Sequence, residues 1–125
     1  MNDKFIDYLD KVEKLKKAGE YDKAWRVSNE ALMNLLAEGN DSWFMFYYQM
    51  ADILDSEEKW FDALVKMGYC THFIGRLGGL CHEKFILRLL KKFSKEQSLN
   101  KYLDIVLSEN DLEKMEIRLK EFINN

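Results

Sequence analysis

The sequence repeats itself at an offset of 39 residues, which aligns Tyr21 with Trp60 and Ala24 with Ala63. In both copies an aromatic residue stands three positions before an alanine, and apolar residues follow at helical spacing. The other aligned pairs are Tyr8 and Tyr47, Val12 and Ala51, Leu15 and Leu54, Ser28 and Met67, Ala31 and Cys70, and Leu35 and Ile74. A repeat of this length built as a helical hairpin is typical of proteins that stack such hairpins side by side.

The whole chain is predicted to be all-α. None of its 125 residues is proline, the residue that helix interiors tolerate least. Apolar residues recur at helical steps in seven segments joined by short polar turns, and no segment shows the alternation expected of a strand. These segments form three hairpins, at about 3–38, 42–77 and 82–107, and a closing helix at 110–123, within one domain spanning 1–125.

Local residues mark most of the expected helix ends. Gly19 and Gly39 suit the left-handed conformation that closes a helix. Gly75, Gly78 and Gly79 are expected to weaken and then end the fourth helix. Three pairs with capping-box spacing predict helix starts, namely Asp55 with Glu58, Ser94 with Gln97, and Asn110 with Glu113.

The first two hairpins resemble tetratricopeptide repeats. Residues 8–31 contain Y…V…L…G-x-Y-x-x-A…A, and residues 47–70 contain Y…A…L…W-x-x-A…C, in that family's order of aromatic and small residues. The offset of 39 exceeds the family's usual repeat of about 34 residues, and the excess falls in the EGNDS connection at 38–42. The resemblance covers about residues 5–77, and the third copy is degenerate.

This resemblance implies a short α-solenoid that holds a peptide or protein partner in a groove. The first helix of each hairpin would form the groove wall, and the last helix would cap the apolar end of the solenoid. By resemblance, the groove residues would be Leu9, Glu13, Met45, Tyr48 and Asp52.

The segment WFMFYYQM at 43–50 is the most concentrated aromatic stretch of the chain. Most of its aromatic side chains share one broad helical stripe, which favours burial. Phe46 and Tyr48 flank this stripe on opposite sides, so they either pack against a neighbouring hairpin or line the groove. Both are candidate partner-binding residues, because aromatic side chains are frequent at binding hot spots.

Every cysteine and histidine lies between residues 70 and 82, as Cys70, His72, Cys81 and His82. On a helix Cys70 and His72 lie about 200° apart, so they cannot bind one metal ion. Cys70 also occupies a small-residue position of the repeat, and the Cys-x-x-Cys pairs of zinc sites are missing. We therefore expect no metal, no cofactor and no disulfide between Cys70 and Cys81.

Composition and motifs favour a cytoplasmic protein without catalytic activity. The N-terminus is charged from its third residue and lacks the apolar core of a signal peptide. No apolar run approaches the roughly 18 residues of a membrane helix. Phosphate-binding loops, dinucleotide fingerprints and serine elbows are also missing from the sequence.

A second class of function is suggested by the basic segment 84–95, although the net charge of the chain is −3. Its basic residues are Lys84, Arg88, Lys91, Lys92 and Lys95. Such a helix would bind an acidic protein surface or, as the less favoured partner, nucleic acid. A dedicated inhibitor, such as an immunity protein that blocks a toxin, is a further alternative. Homodimer formation would cover the exposed end of the solenoid.

Overall fold

A computed structural model describes residues 3–76 and 82–125 of the chain. Its regular structure is helical throughout this part, which confirms the all-α prediction for the residues described. In chain order the helices are α1 Asp3–Lys17, α2 Tyr21–Ala37, α3 Met45–Ser56, α4 Trp60–Arg76, α5 Glu83–Lys91, α6 Leu99–Ser108 and α7 Leu112–Asn124. A short 3₁₀ helix, Glu96–Ser98, precedes α6.

The helix bounds follow the internal offset of the sequence. Helices α2 and α4 are both 17 residues long and begin at the aligned residues Tyr21 and Trp60. Aligned small residues are also buried alike, since Ala24, Ala63 and Ala31 are completely inaccessible to solvent. The 39-residue offset therefore relates both the lengths and the buried positions of these two helices.

Gly19 and Gly39 form the turns that were predicted from them. The three predicted capping boxes, in contrast, do not start the helices. Gly19 and Gly39 have φ angles of 74° and 73° after α1 and α2. Asp55, however, lies inside α3, and the turn before α4 instead places Glu58 at a φ of 62°.

The other two capping boxes are wrong for related reasons. Ser94 adopts a φ of 57° in the turn after α5, and the next helical residues begin at Glu96. Helix α7 is capped by Asp111 and not by Asn110. The Asp111 Oδ1 atom accepts hydrogen bonds from the backbone nitrogens of Glu113, at 2.9 Å, and Lys114, at 3.1 Å.

Two large apolar clusters hold the helices together. The first lies among α1, α2 and α3 and includes Val12, Leu35 and Phe46. The second joins α4 to the C-terminal helices and includes Leu64 and Leu119. Trp25 of α2 packs against both clusters, so one side chain connects the two halves of the apolar interior.

Helix α4 is the central element, and α6 packs closely against it. A Cβ atom on Gly68 would lie 3.0 Å from a methyl group of Val106, so only glycine fits comfortably at this point. The Tyr102 hydroxyl donates a hydrogen bond to the Leu64 carbonyl at 2.8 Å. The buried His72 donates from Nδ1 to the Val106 carbonyl at 2.7 Å. Two polar contacts and the close packing of the Val106 side chain on Gly68 therefore fix α6 on α4.

Helix α4 continues through Gly75 to Arg76, the last residue described before the gap. Gly78 and Gly79 lie outside the described residues. Within the part of the chain that the structure describes, we find no helix with the length and apolar character needed to cross a lipid bilayer.

We predict that Gly68→Ala destabilises the protein by about 1 kcal/mol, although alanine favours helices more than glycine does. The added methyl group would press on Val106 and Leu119, which are completely buried and have no room to move. Urea denaturation of the variant and the wild type measures the difference.

Gly75→Ala is the matched control on the same helix. Its methyl group would meet the tip of Leu107, whose side chain is 49% exposed and free to turn away. Stability should be unchanged or slightly raised. Equal destabilisation by both substitutions would contradict the close packing described at Gly68.

Candidate partner-binding surface

The face predicted to line a groove carries a polar link between α1 and α3. Lys16 Nζ donates to Gln49 Oε1 and to Asp52 Oδ2, each at 2.7 Å, and pairs with Glu13 Oε1 at 3.1 Å. Only 12% of the Lys16 side chain is exposed. Glu13 and Asp52, two of the predicted site residues, are thus brought together by a lysine that the sequence analysis did not select.

The environment of Lys16 keeps its ammonium charged. Burial by itself lowers the pKa of Lys16, whereas the hydrogen bonds to Asp52 and Glu13 raise it. The net pKa lies above the ordinary value, because the two carboxylates outweigh the loss of water. The charged Lys16 side chain of α1 therefore binds α3 through Gln49 and Asp52.

Three other predicted groove residues are partly buried by their own neighbours. Leu9 packs against the cluster of α1, α2 and α3, and Met45 packs beside Phe44 near Cys70. Tyr48 lies against the His82 ring, with ring centroids 4.3 Å apart. These contacts leave each of the three predicted side chains only partly available to a partner.

Phe46 is not a groove residue, and that part of the prediction is wrong. Its side chain is only 1% exposed and lies in the interior between α1 and α3. Its ring makes edge contacts with Phe5 and Tyr8, at centroid distances of 5.5 and 6.3 Å. The packing alternative raised by its position in the sequence is the correct one.

The basic residues of α5 and the following turn are largely engaged within the molecule. Arg88 pairs with Asp55 of α3 at 2.5 Å. Lys92 Nζ lies 4.5 Å from the ring centroid of Trp60, and Lys95 Nζ lies 5.7 Å from that of Phe122.

The remaining two members of the predicted basic patch are exposed on α5. They are Lys84 and Lys91. Three of the five basic residues therefore contact an acid or an aromatic ring of another helix, and Arg88 and Lys92 among these remain exposed to solvent.

Cys70 and His72 contact different parts of the fold, as their angular separation predicts. Cys70 is buried beside Phe44 and Ile74, and burial raises the pKa of its thiol to about 12. His72 instead binds the carbonyl at the end of α6. No three His, Cys, Asp or Glu side chains of residues 3–76 and 82–125 converge in a way that would hold a metal ion, and Cys81 lies outside these ranges.

An extended concave surface lies on another face, between α2 and the α3–α4 turn. Three adjoining cavities of about 380, 280 and 350 Å³ share lining residues there, and we call them together the furrow. Residues that line it include Tyr21, Trp25, Leu54, Glu57, Lys59 and Lys66. This surface was not predicted from the sequence, although Trp25 lies directly after Ala24, one of the aligned positions of the repeat.

A smaller hollow of about 260 Å³ lies at the α2–α3 connection and is lined mainly by apolar side chains, including Trp43 and Phe73. Leu36 on its rim is 45% exposed. Among the described residues that line this hollow only Asp41 is charged, whereas the furrow carries several charges of both signs.

No protein-family model, curated protein or solved structure matches this chain. Function is therefore inferred from the contacts, cavities and charges of the molecule itself.

We predict that Lys16→Met destabilises the protein by about 2 kcal/mol, the usual scale for losing hydrogen bonds to a charged group. The substitution leaves the buried amide oxygen of Gln49 without its hydrogen-bond donor. It also leaves the negative charges of Glu13 and Asp52 without the positive charge that lies between them. Urea denaturation near neutral pH measures the loss. Lys17→Met changes an exposed residue of the same helix and is the control, so equal losses in the two variants would contradict the proposed link.

Stability should depend on pH through His82. Burial against Tyr48 and its surroundings lowers the pKa of His82 below the ordinary value of 6.5. The unfolded chain then binds the proton first as the pH falls, so stability is constant above about pH 6.5 and declines below it.

His82→Phe provides the comparison, because phenylalanine keeps a ring against Tyr48 but does not titrate. Thermal unfolding measured between pH 7 and pH 5 should show a smaller loss of stability for this variant than for the wild type. Parallel pH profiles would show that His82 is not responsible.

Proposed function

We propose that this protein is a non-enzymatic interaction module that binds an extended segment of another protein in the furrow. The observation that carries the proposal is Trp25, a partly buried indole shared by two adjoining cavities of that surface. Tryptophan beside a sheltered apolar floor is the kind of residue that contributes most to binding energy. Leu54 supplies part of this floor and is only 7% exposed.

The shape of the furrow favours a polypeptide over a small molecule. Its cavities join end to end through shared residues and remain open along their length, as a groove for an extended chain does. Its rim carries both acidic residues, such as Glu57 and Asp62, and basic residues, such as Lys59. A segment with side chains of both charges fits such a rim better than a strongly charged polymer does.

The resemblance to tetratricopeptide repeats supports the same class of function. Stacked helical hairpins of that family bind peptide or protein segments. Here the second helices of the first two hairpins, α2 and α4, share their length and their buried positions at the 39-residue offset. We include a short α-solenoid of this kind in the proposal. We place the docking surface in the furrow, which is lined by α2 and α4. The face of α1 and α3 is less suitable, because Lys16 already pairs there with Glu13 and Asp52.

Catalysis receives no support from the groups that would carry it. The Cys70 thiol is completely buried and its pKa is raised to about 12, so it is protonated at neutral pH. The His72 ring is committed to the Val106 carbonyl. A binding function requires neither group to react.

The proposal is tested with charge reversals on the rim of the furrow. Lys59→Glu and Glu57→Lys each change an exposed side chain, so folding should be unaffected. Partners retained by the immobilised wild type from nuclease-treated native extract are identified and purified, and their affinities are measured by calorimetry. We expect at least one furrow variant to bind on the order of tenfold more weakly.

Lys84→Glu is the matched control, because Lys84 is equally exposed and belongs to the basic segment. Its affinity for the same partner should equal that of the wild type. Weakened binding by Lys84→Glu alone, together with sensitivity to nuclease and a steep dependence on salt, would favour the nucleic-acid alternative instead. An unchanged affinity in both furrow variants would contradict docking in the furrow.

A further inference from the structure

Lys66 of α4 extends into a box of three aromatic rings at one end of the furrow. Its Nζ lies 5.2 Å from the ring centroid of Tyr69, 5.8 Å from that of Tyr47 and 5.9 Å from that of Trp25. The rings come from α2, α3 and α4, and those of Tyr47 and Tyr69 meet edge to face with centroids 5.3 Å apart. Three helices thus contribute walls around one ammonium group.

The aromatic box attracts the charge of the partly buried Lys66 but offers it no hydrogen-bond acceptor. Among residues 3–76 and 82–125, no carboxylate pairs with Lys66 within 4.0 Å, and no acceptor is hydrogen-bonded to its Nζ atom. Asp62 and Glu116 act on the ammonium only through longer-range attraction. A primary ammonium has three N–H donors, and aromatic faces offer attraction to a cation without conventional acceptors.

A methylated ammonium suits these surroundings better than a primary one. Methylation keeps the positive charge, removes donors and lowers the cost of taking the group out of water. The attraction between the cation and the rings remains. We propose that Lys66 is a methylation site and that the box of Trp25, Tyr47 and Tyr69 holds the methylated side chain.

The position of Lys66 is also compatible with the modification reaction. A cavity of about 280 Å³ opens beside it, lined by Trp25 and Glu116 among others. Burial lowers the pKa of Lys66, which increases the fraction of free amine at neutral pH. In the reaction the amine lone pair forms the new N–C bond while the S–C bond of a sulfonium methyl donor breaks. The donor leaves as a thioether, and the proton of the amine passes to solvent.

The proposal is independent of the partner that occupies the furrow. Its expected consequence is local, because a methylated Lys66 would hold α2, α3 and α4 together more firmly at Trp25.

The first experiment is reductive methylation of the folded protein with formaldehyde and dimethylamine–borane. The wild type, Lys66→Met and Lys66→Gln are each compared before and after treatment by thermal unfolding, and peptide mass spectrometry verifies modification. All other lysines are shared, so the difference between proteins reports Lys66. We expect methylation to raise the midpoint of the wild type by roughly 3 °C more than that of either variant.

Tyr69→Leu removes one wall of the box and should abolish this extra gain. An equal shift in wild type and Lys66 variants, or a Lys66 that stays unmodified in the wild type, would overturn the proposal. The second experiment is peptide mass spectrometry of the protein isolated from its native cells. Methyl groups on Lys66 support the proposal, and an entirely unmodified Lys66 overturns it.

Discussion

The close approach of α6 to α4 at Gly68 is the constraint on which the C-terminal half of the structure depends. Because the position has no side chain, Val106 reaches the backbone of α4, and the Tyr102 hydroxyl reaches the Leu64 carbonyl. Helix α4 consequently buries side chains around most of its circumference, with α3 on one side and the C-terminal helices on the others. A larger residue at this point would push α6 outward and weaken both the apolar contacts and the two polar ones.

The helices and the repeat were predictable because they follow from local spacing. Gly19 and Gly39 predict their turns directly, since glycine is the residue that best tolerates a positive φ. The turns at Glu58 and Ser94 carry no such signal. Both residues adopt left-handed conformations that favour glycine, and each was itself one member of a predicted capping box. The turns are held by the packing of the helices on either side, which the sequence does not display.

The candidate site was less predictable, because its contacts join residues that are distant in the chain. Lys16 binds Asp52 across 36 positions, and neither residue alone indicates the other. Phe46 looked like a flanking aromatic on an isolated α3, but α1 covers it. Trp25 was overlooked for the opposite reason. Trp25 lies beside the apolar stripe that α2 buries. It lines a cavity only because α4 and the α3–α4 turn pack next to it in the fold.

Aromatic faces also explain why the basic stretch near α5 is a poor guide to function. Lys95 and Lys101 both lie within 6.0 Å of the Phe122 ring centroid, and Lys92 covers Trp60. Long cationic side chains of this kind shield apolar rings from water while their charged ends stay hydrated. A run of lysines in a chain with 14% aromatic residues therefore reflects internal packing as readily as an external partner.

The two apolar clusters that meet at Trp25 have a consequence for how the molecule opens. Helices α1 and α2 contribute to one cluster and α5 to α7 to the other, so detachment of the N-terminal hairpin would uncover the C-terminal cluster at Trp25. Such partial opening produces units with different lifetimes in the native state. Backbone amides of α1 and α2 should then exchange with solvent faster than those of α4 and α6. In that opened form the indole of Trp25 loses its contacts with the C-terminal cluster, so this one side chain couples the opening of the hairpin to the exposure of the second apolar cluster.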